Sequence, residues 1–472
     1  MKYLYIVFLC VLCSCNTQSL VKSESKPNII YINVDDLGWM DTEIYGSTFY
    51  ETPNITKLAK SGMLFTNGYA SAANCAPSRA CLISGQNTPR HGIYTVSNSD
   101  RGNEKTRKII PIKNTEVLAD NNITIAEMLK KSGYTTGTFG KWHLGDDPKT
   151  QGFDVNVGGA NQGNPGKDGF FSPYNIKNIV DNKKGENLTD RLTQEAISFI
   201  KENKEKPFFL YLPYYAVHTP LSTTNALEEK YKEKGGNSFQ NKAVYAGMIE
   251  TVDRNIGLIL DEIEALNLKN TLIVFTSDNG GIRDISNQDP LRAGKGSYYE
   301  GGIRVPYIIS WKEKIKPNTI SKTPISNLDF YPTFMDILNV EMPEKIVDGT
   351  SIFPVLKGKK IKDRSLYFHF PIYLQAYNFK TDNGRDPFFR TRPGSVIIDG
   401  DWKLHQYFED NALELYNLKT DLGEKNNLSV VHPKKTAELL KKLTTWRTEI
   451  NAPIPTELNP KYEANFVPNK FK

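Results

Sequence analysis

Two stretches constrain this chain more than any others. Asn28-Ile29-Ile30-Tyr31-Ile32-Asn33-Val34 is largely apolar and β-branched, and it stops at Asp35-Asp36. Thr271-Leu272-Ile273-Val274-Phe275 is its counterpart and runs into Ser277-Asp278-Asn279-Gly280. Runs that do not alternate with polar residues fit strands buried on both faces, as in a parallel sheet covered by helices. Residues 134–139 are Thr-rich and strand-like and run into Gly140-Lys141-Trp142-His143, and residues 208–212 read as a further strand.

Helical patterns lie between these runs. Thr52-Pro53 opens a helix with Ile55, Leu58 and Ala59 on one face, closed by Gly62. Thr124-Ile125-Ala126-Glu127 is a capping box, and Gly133 ends that helix. Residues 189–200 and about 243–266 are further helices. Strands alternating with helices predict an α/β domain around a large, mostly parallel sheet. Polar residues follow the strand C-terminal ends, where open α/β sheets hold ligands.

The pattern changes after residue 356. Residues 395–404, 406–408 and 413–418 read as short strands joined by Asp-Gly and Glu-Asp-Asn turns, and a Lys- and Leu-rich helix follows at about 434–450. The expected division is an α/β domain over 27–356 and a smaller α+β domain with an antiparallel sheet over 357–472. A chain of 472 residues is long enough for both.

The formal net charge is +6, with no polybasic run of the kind that follows nucleic acid, so no nucleic-acid partner is expected. Met1-Lys2, an apolar run over residues 3–12, and Cys13-Ser14-Cys15 read as a secretory signal over 1–15. The run is too short to span a bilayer comfortably. Leu12-Cys13-Ser14-Cys15 resembles the bacterial lipobox. That resemblance implies acylation of Cys15 and a lipoprotein anchored to a membrane, facing the periplasm or the cell surface. Residues 16–26 would be a polar tether. Three of the five cysteines lie in this leader, which leaves Cys75 and Cys81 and no disulfide framework.

Asp35, Asp36, Asp278 and Asn279 supply only oxygen donors. If the two strand ends are neighbours, such a set suits Ca²⁺ or Mg²⁺ and not Zn²⁺. Each pair alone also reads as an ordinary turn. In Asn74-Cys75-Ala76-Pro77-Ser78-Arg79, Pro77 fits a first helical position and Gly85 the far end of the helix. Cys75 would then sit just ahead of the helix, with Arg79 leaning back towards it, a place that suits an anionic nucleophile or a bound anion. Cys75 and Cys81 also fit as buried core thiols or as a disulfide. Lys141 and His143, two residues apart after a strand, could point the same way.

Cys75-x-Pro77-Ser78-Arg79 followed by x-x-Leu82-x-Ser84-Gly85 resembles the signature of the formylglycine-dependent (type I) sulfatases, in the alkaline phosphatase superfamily. Gly133-Tyr134-x-Thr136-x-x-x-Gly140-Lys141-Trp142-His143-Leu144-Gly145 resembles their second signature. His218-Thr219-Pro220 is similar to the family's His-x-Pro segment. Leu291-Arg292-Ala293-Gly294-Lys295-Gly296, ahead of Tyr299-Glu300-Gly301-Gly302, is also similar to the family. The motifs keep the family's order, and the likeness continues weakly through Gly400–Leu404 and Glu414–Leu418.

The resemblance implies that a maturation enzyme oxidises Cys75 to formylglycine, while Cys81 is structural. It implies one Ca²⁺ held by Asp35, Asp36, Asp278, Asn279 and the residue at position 75. It places Arg79 and His143 on the aldehyde hydrate, Lys141 and Lys295 on sulfate oxygens, and His218 as acid to the leaving alcohol. The expected substrate is a sulfated carbohydrate, with Tyr214, Arg292, His369, Arg390 and Arg392 as candidates for the pocket mouth. The segment Tyr367–Tyr373 is similar to glycan-acting members, but Ile372 stands where many carry a second His. Two alternatives are a phosphonate or phosphate ester hydrolase of the same superfamily and a glycan-binding lipoprotein with a dead site.

Overall fold

A computed structural model describes residues 25–469. The leader, Cys15 and nearly all of the expected tether lie outside the described residues.

Eight strands form one sheet: β1 (Asn28–Val34), β2 (Met63–Phe65), β3 (Thr135–Phe139), β4 (Val155–Val157), β5 (Phe208–Pro213), β6 (Thr271–Ser277), β7 (Tyr307–Trp311) and β8 (Thr319–Ser321). Their order across the sheet is β4-β3-β5-β1-β6-β7-β2-β8. β1 is central and pairs in parallel with β5 and β6, with Ile30 opposite Leu210 on one side and Ile273 on the other. β7 runs antiparallel to both β6 and β2, so the sheet is mixed at that edge.

Successive β1 side chains point to opposite faces. Ile30, Ile32 and Val34 enter one core with Leu192 and Ile200 of the Leu188–Asn203 helix and Ile249 and Ile256 of the Ala243–Ala265 helix. Ile29 and Tyr31 enter the other with Ala80 and Ile83 of the Cys75–Ser84 helix, Leu129 and Phe334. Burying each such aliphatic side chain is worth about 1.5–3 kcal/mol, which fixes β1 in the middle. The capping box forms as expected: Thr124 Oγ1 accepts from the Glu127 N–H at 3.1 Å, and the Thr124 N–H donates to Glu127 Oε2 at 2.7 Å.

The Cys75–Ser84 helix starts earlier than its proline suggested. Cys75 is itself the first helical residue and Pro77 the third. The first-turn N–H groups have no intrahelical acceptor, so a proline is tolerated throughout that turn. Gly85 ends the helix at φ 68°. A Cβ there would lie 2.9 Å from Tyr331 Cβ, so both conformation and space require glycine.

The C-terminal sheet is antiparallel, in the order Ser365–Phe370, Gly394–Asp399, Trp402–Tyr407, Leu413–Asn417. The Pro433–Glu449 helix covers one face, with Leu439, Leu443 and Trp446 on Ile397, Leu404 and Leu415. The expected strand over 395–404 divides at Gly400-Asp401, because the Asp-Gly turn falls inside it.

A buried charge cluster joins the two sheets. Lys403 Nζ lies 2.9 Å from both Glu300 and Glu424, and all three side chains are inaccessible to solvent. Arg292, expected at the pocket mouth, belongs to this joint. Its guanidinium lies 3.8 Å from the centre of the Tyr299 ring and donates to the Asn383, Gly384 and Glu424 carbonyls. No described helix is long and apolar enough to cross a membrane.

Candidate active site

Four adjacent parallel strands, β3, β5, β1 and β6, deliver side chains to one edge of the sheet. Lys141 and His143 follow β3, His218 follows β5, Asp35 and Asp36 follow β1, and Asp278 and Asn279 follow β6. The first turn of the Cys75–Ser84 helix and the loop carrying Lys295 close over that edge. Ligand atoms of Asp35, Asp36, Cys75 and His218 all lie within 4.8 Å of one another.

The charges are paired inside this cluster. Lys141 Nζ donates to Asp35 Oδ2 at 2.6 Å. Lys295 Nζ lies 2.7 Å from each oxygen of Asp36. Asn279 Nδ2 donates to Asp36 Oδ1 at 2.7 Å, and the Asp36 N–H to Asp278 Oδ1 at 3.2 Å. Arg79 was expected to lean towards Cys75. Its Nε instead donates to Asp278 Oδ2 at 2.9 Å and its Nη1 to the Lys141 carbonyl at 2.7 Å. The carboxylate is the stronger acceptor, and it lies beside the helix rather than at its start.

Both Asp36 and His143 hold left-handed backbone, with φ 61° and 63°. Asp and His tolerate this region better than most residues, at some cost in strain. Gly163 packs on His143, and a Cβ there would sit 2.4 Å from the ring. No sequence signal marked Gly163, because its role depends on a contact with a residue 20 positions earlier in the chain.

Burial dominates the electrostatics. It pushes the Asp35 carboxyl up to about 8; nearby Asp278 adds to this, and Lys141 only partly opposes it. Burial would also raise Asp36, but Lys295, His218 and Lys141 outweigh it and hold that carboxyl below the usual range. Burial raises the Cys75 thiol, although Lys141 and Lys295 pull the other way. His143 is driven well below its ordinary value by burial, then by Lys141 and Arg79. Burial and Lys295 take His218 down to about 3, against the pull of Asp36.

The donor set fits a hard divalent cation. Asp35 Oδ1 and Asn279 Oδ1 are buried with no hydrogen-bond partner among the described residues. Leaving such oxygens dry and unpaired is costly. Both belong to the residues read from the sequence as metal ligands, and a cation bound by oxygens would satisfy them.

Three of the remaining pocket candidates are structural. Tyr214 is fully buried, and its hydroxyl lies 2.6 Å from that of Thr193. His369 is 1% exposed; its Nδ1 is 2.8 Å from Ser395 Oγ and its Nε2 is 2.9 Å from the Pro453 carbonyl. Arg392 is occupied by Asp386 at 2.5 Å and Glu409 at 2.7 Å. Arg390 is different, for it donates to the Lys295 carbonyl at 3.0 Å and so borders the cluster.

The family model described as Sulfatase matches residues 27–340, and that of the N-sulphoglucosamine sulphohydrolase C-terminal region matches residues 294–452. The chain belongs to the sulfatase family and is a sulfuric ester hydrolase. A sulfatase of Formosa agariphila is 33% identical, with 93% of this chain and 92% of that protein covered. The N-acetylgalactosamine-6-O-sulfatase of Bacteroides thetaiotaomicron is 29% identical, with 90% and 94% covered. The crystal structure of Ps i-CgsB in complex with k-i-k-neocarrahexaose is similar at a TM-score of 0.74 and 29% identity, covering 92% of this chain and 95% of that one.

Proposed function

We propose that this enzyme removes sulfate from a sulfated carbohydrate, using a formylglycine made from Cys75 and one bound Ca²⁺. The observation that carries the reading is the placement of Cys75. It is 2% exposed at the first position of a helix, and both lysines act on its thiol. Relatives and structural neighbours named for sulfated or carbohydrate ligands support the substrate class.

A Ca²⁺ held by Asp35, Asp36, Asp278 and Asn279 would supply positive charge against the sulfate ester. The hydrate of formylglycine offers two hydroxyls, one to attack sulfur and one to release sulfate afterwards. Lys141 and Lys295, now paired with Asp35 and Asp36, would bind sulfate oxygens and the charge that develops on them. Arg79, anchored on Asp278, fixes the helix that carries position 75. His143 would take a proton from the hydrate. Burial and Lys295 keep the His218 ring neutral, with Nδ1 2.6 Å from the Thr219 carbonyl; a bound sulfate would offset Lys295 and let Nε2 carry the proton it gives to the leaving alcohol.

Turnover of defined sulfated oligosaccharides by matured protein tests the reading, with the matching phosphate esters as the comparison. Faster cleavage of phosphate esters, or of simple aryl sulfates over every glycan, rejects it. Removing His218 should slow alkyl sulfates far more than activated aryl sulfates; equal losses reject its role as the acid.

The leader supports a further part of the proposal, acylation of Cys15 and attachment to a membrane outside the cytoplasm. Cys15→Ala should release the protein or leave the precursor uncut. Wild-type protein recovered wholly soluble with a free N-terminus rejects the anchor.

A further inference from the structure

The arginines around the reaction centre are of two kinds. Arg79 is paired with Asp278, and Arg392 with Asp386 and Glu409. Arg101 and Arg390 have no carboxylate within ion-pair distance among the described residues, the nearest influence being Asp382 on Arg390; Arg390 is buried and Arg101 partly so.

Both are tied to residues of the site. Arg101 Nη2 donates to Thr95 Oγ1 at 2.8 Å, and the same hydroxyl accepts from Asn74 Nδ2 at 3.2 Å. Asn74 immediately precedes Cys75. Arg101 Nε is buried with no partner among the described residues. Arg390 Nη1 donates to the Lys295 carbonyl at 3.0 Å and Nε to the Gln375 carbonyl at 2.9 Å. Gly296 permits this approach: it has φ 83°, and a Cβ there would sit 2.6 Å from Arg390 Nη1. The Arg390 guanidinium lies 3.4 Å from the centre of the Tyr377 ring, and that tyrosine is 50% exposed.

The groups also feel one another. Burial, then Arg390, pushes the Arg101 guanidinium down, while Tyr377 and Cys75 oppose this. Tyr377 also acts on Lys295. Two cations thus border the site, Arg101 through Thr95 and Asn74 beside Cys75 and Arg390 through the Lys295 carbonyl, near enough to act on one another. An anion between them would remove their repulsion and occupy donors that protein groups leave free.

We propose that Arg101 and Arg390, with the Tyr377 ring as a face, form a second anion subsite that reads a carboxylate or a further sulfate close to the scissile ester. This rests on the sulfatase reading above and gives it a substrate class, a sugar that carries two negative groups. Guanidinium forks match carboxylate and sulfate oxygens, and an exposed aromatic face suits the apolar side of a sugar ring.

The test uses three disaccharides with the same scissile sulfate: one with a neighbouring uronic acid, its methyl ester, and one with a second sulfate. The readout is the ratio of kcat/KM on each acidic probe to that on the methyl ester. The wild type should prefer one acidic probe ~10- to 100-fold, the size expected of charge-assisted hydrogen bonds. The preferred arm shows whether the anion is carboxylate or sulfate. Arg101→Gln and Arg390→Gln should each bring the ratio towards one, and Arg390→Lys should keep part of it. No acidic preference in the wild type, or a preference unchanged in both Gln variants, overturns the subsite.

If matured protein cleaves none of these probes and no aryl sulfate, the sulfatase reading fails separately. The subsite is then judged by calorimetric binding of the same three sugars to Cys75→Ser protein, with and without Arg101→Gln. A binding preference lost with Arg101 supports it, and equal binding of all three rejects it.

Discussion

Lys141 Nζ lies 2.6 Å from Asp35 Oδ2, and neither side chain is exposed to solvent at all. One comes from the end of β3 and the other from the end of β1, with β5 between them. Burial already pushes the Asp35 carboxyl up to about 8, so without the ammonium it keeps its proton and loses a hydrogen-bond partner. Lys141→Met, in metal-free protein, is therefore expected to lose about 1–3 kcal/mol. Adding Asp35→Asn should restore part of that loss. Denaturant unfolding checks both, and additive losses would show that the pair does not interact.

Cys75 and Cys81 should separate by role. Cys75→Ala is expected to abolish turnover with little loss of stability. Cys81 is fully buried, its Sγ 3.5 Å from His91 Nε2. Cys81→Ala should cost about 1–2 kcal/mol through lost packing and retain turnover. Peptide mass spectrometry should show an aldehyde at position 75; a free thiol there in fully active protein rejects the nucleophile.

Metal removal should affect folding as well as activity. Chelation is expected to lower Tm and turnover together, because the unpartnered oxygens of Asp35 and Asn279 lose their ion. Calcium should restore both, and Asp278→Ala should abolish the response. Stoichiometric zinc by elemental analysis, or full activity in chelator, would count against an oxygen-bound Ca²⁺.

Asp41 predicts a pH dependence of stability. It is fully buried, and burial pushes its carboxyl up to about 6 despite hydrogen bonds from Ser286, Tyr245 and Gly38. Folding therefore favours its protonated form. Its contribution is full below about pH 4 and is lost as pH rises through about 6, a change of about 3 kcal/mol. The wild-type minus Asp41→Asn difference in unfolding free energy, followed from pH 4 to 7, should show that slope. A flat difference rejects it.

Tyr214→Phe tests whether that residue is structural. Loss of the hydroxyl contact with Thr193 should cost about 1 kcal/mol and leave kcat/KM on a sulfated oligosaccharide within about twofold. A selective loss on the oligosaccharide over an aryl sulfate would return Tyr214 to the substrate pocket.

The chain's own pattern placed the two cores and the edge between them. An unbroken apolar run can only be buried on both faces, and the polar residues that end it must then meet at the sheet's edge. This made Asp35, Asp36, Asp278, Asn279, Lys141, His143 and His218 legible as strand-end residues, and Cys75 as a helix-start residue. Sequence could not say which polar groups were already taken. Tyr214, Arg292, His369 and Arg392 read as pocket residues, yet distant partners such as Thr193, Glu424, Pro453 and Glu409 occupy them. Arg101 and Tyr377 carried no signal, since they sit on irregular segments with no period. Their position depends on loops that meet only after the two sheets have packed. The scaffold is written in local hydrophobic pattern, whereas free valence in the pocket depends on every contact across the folded chain, and tertiary structure alone decides that.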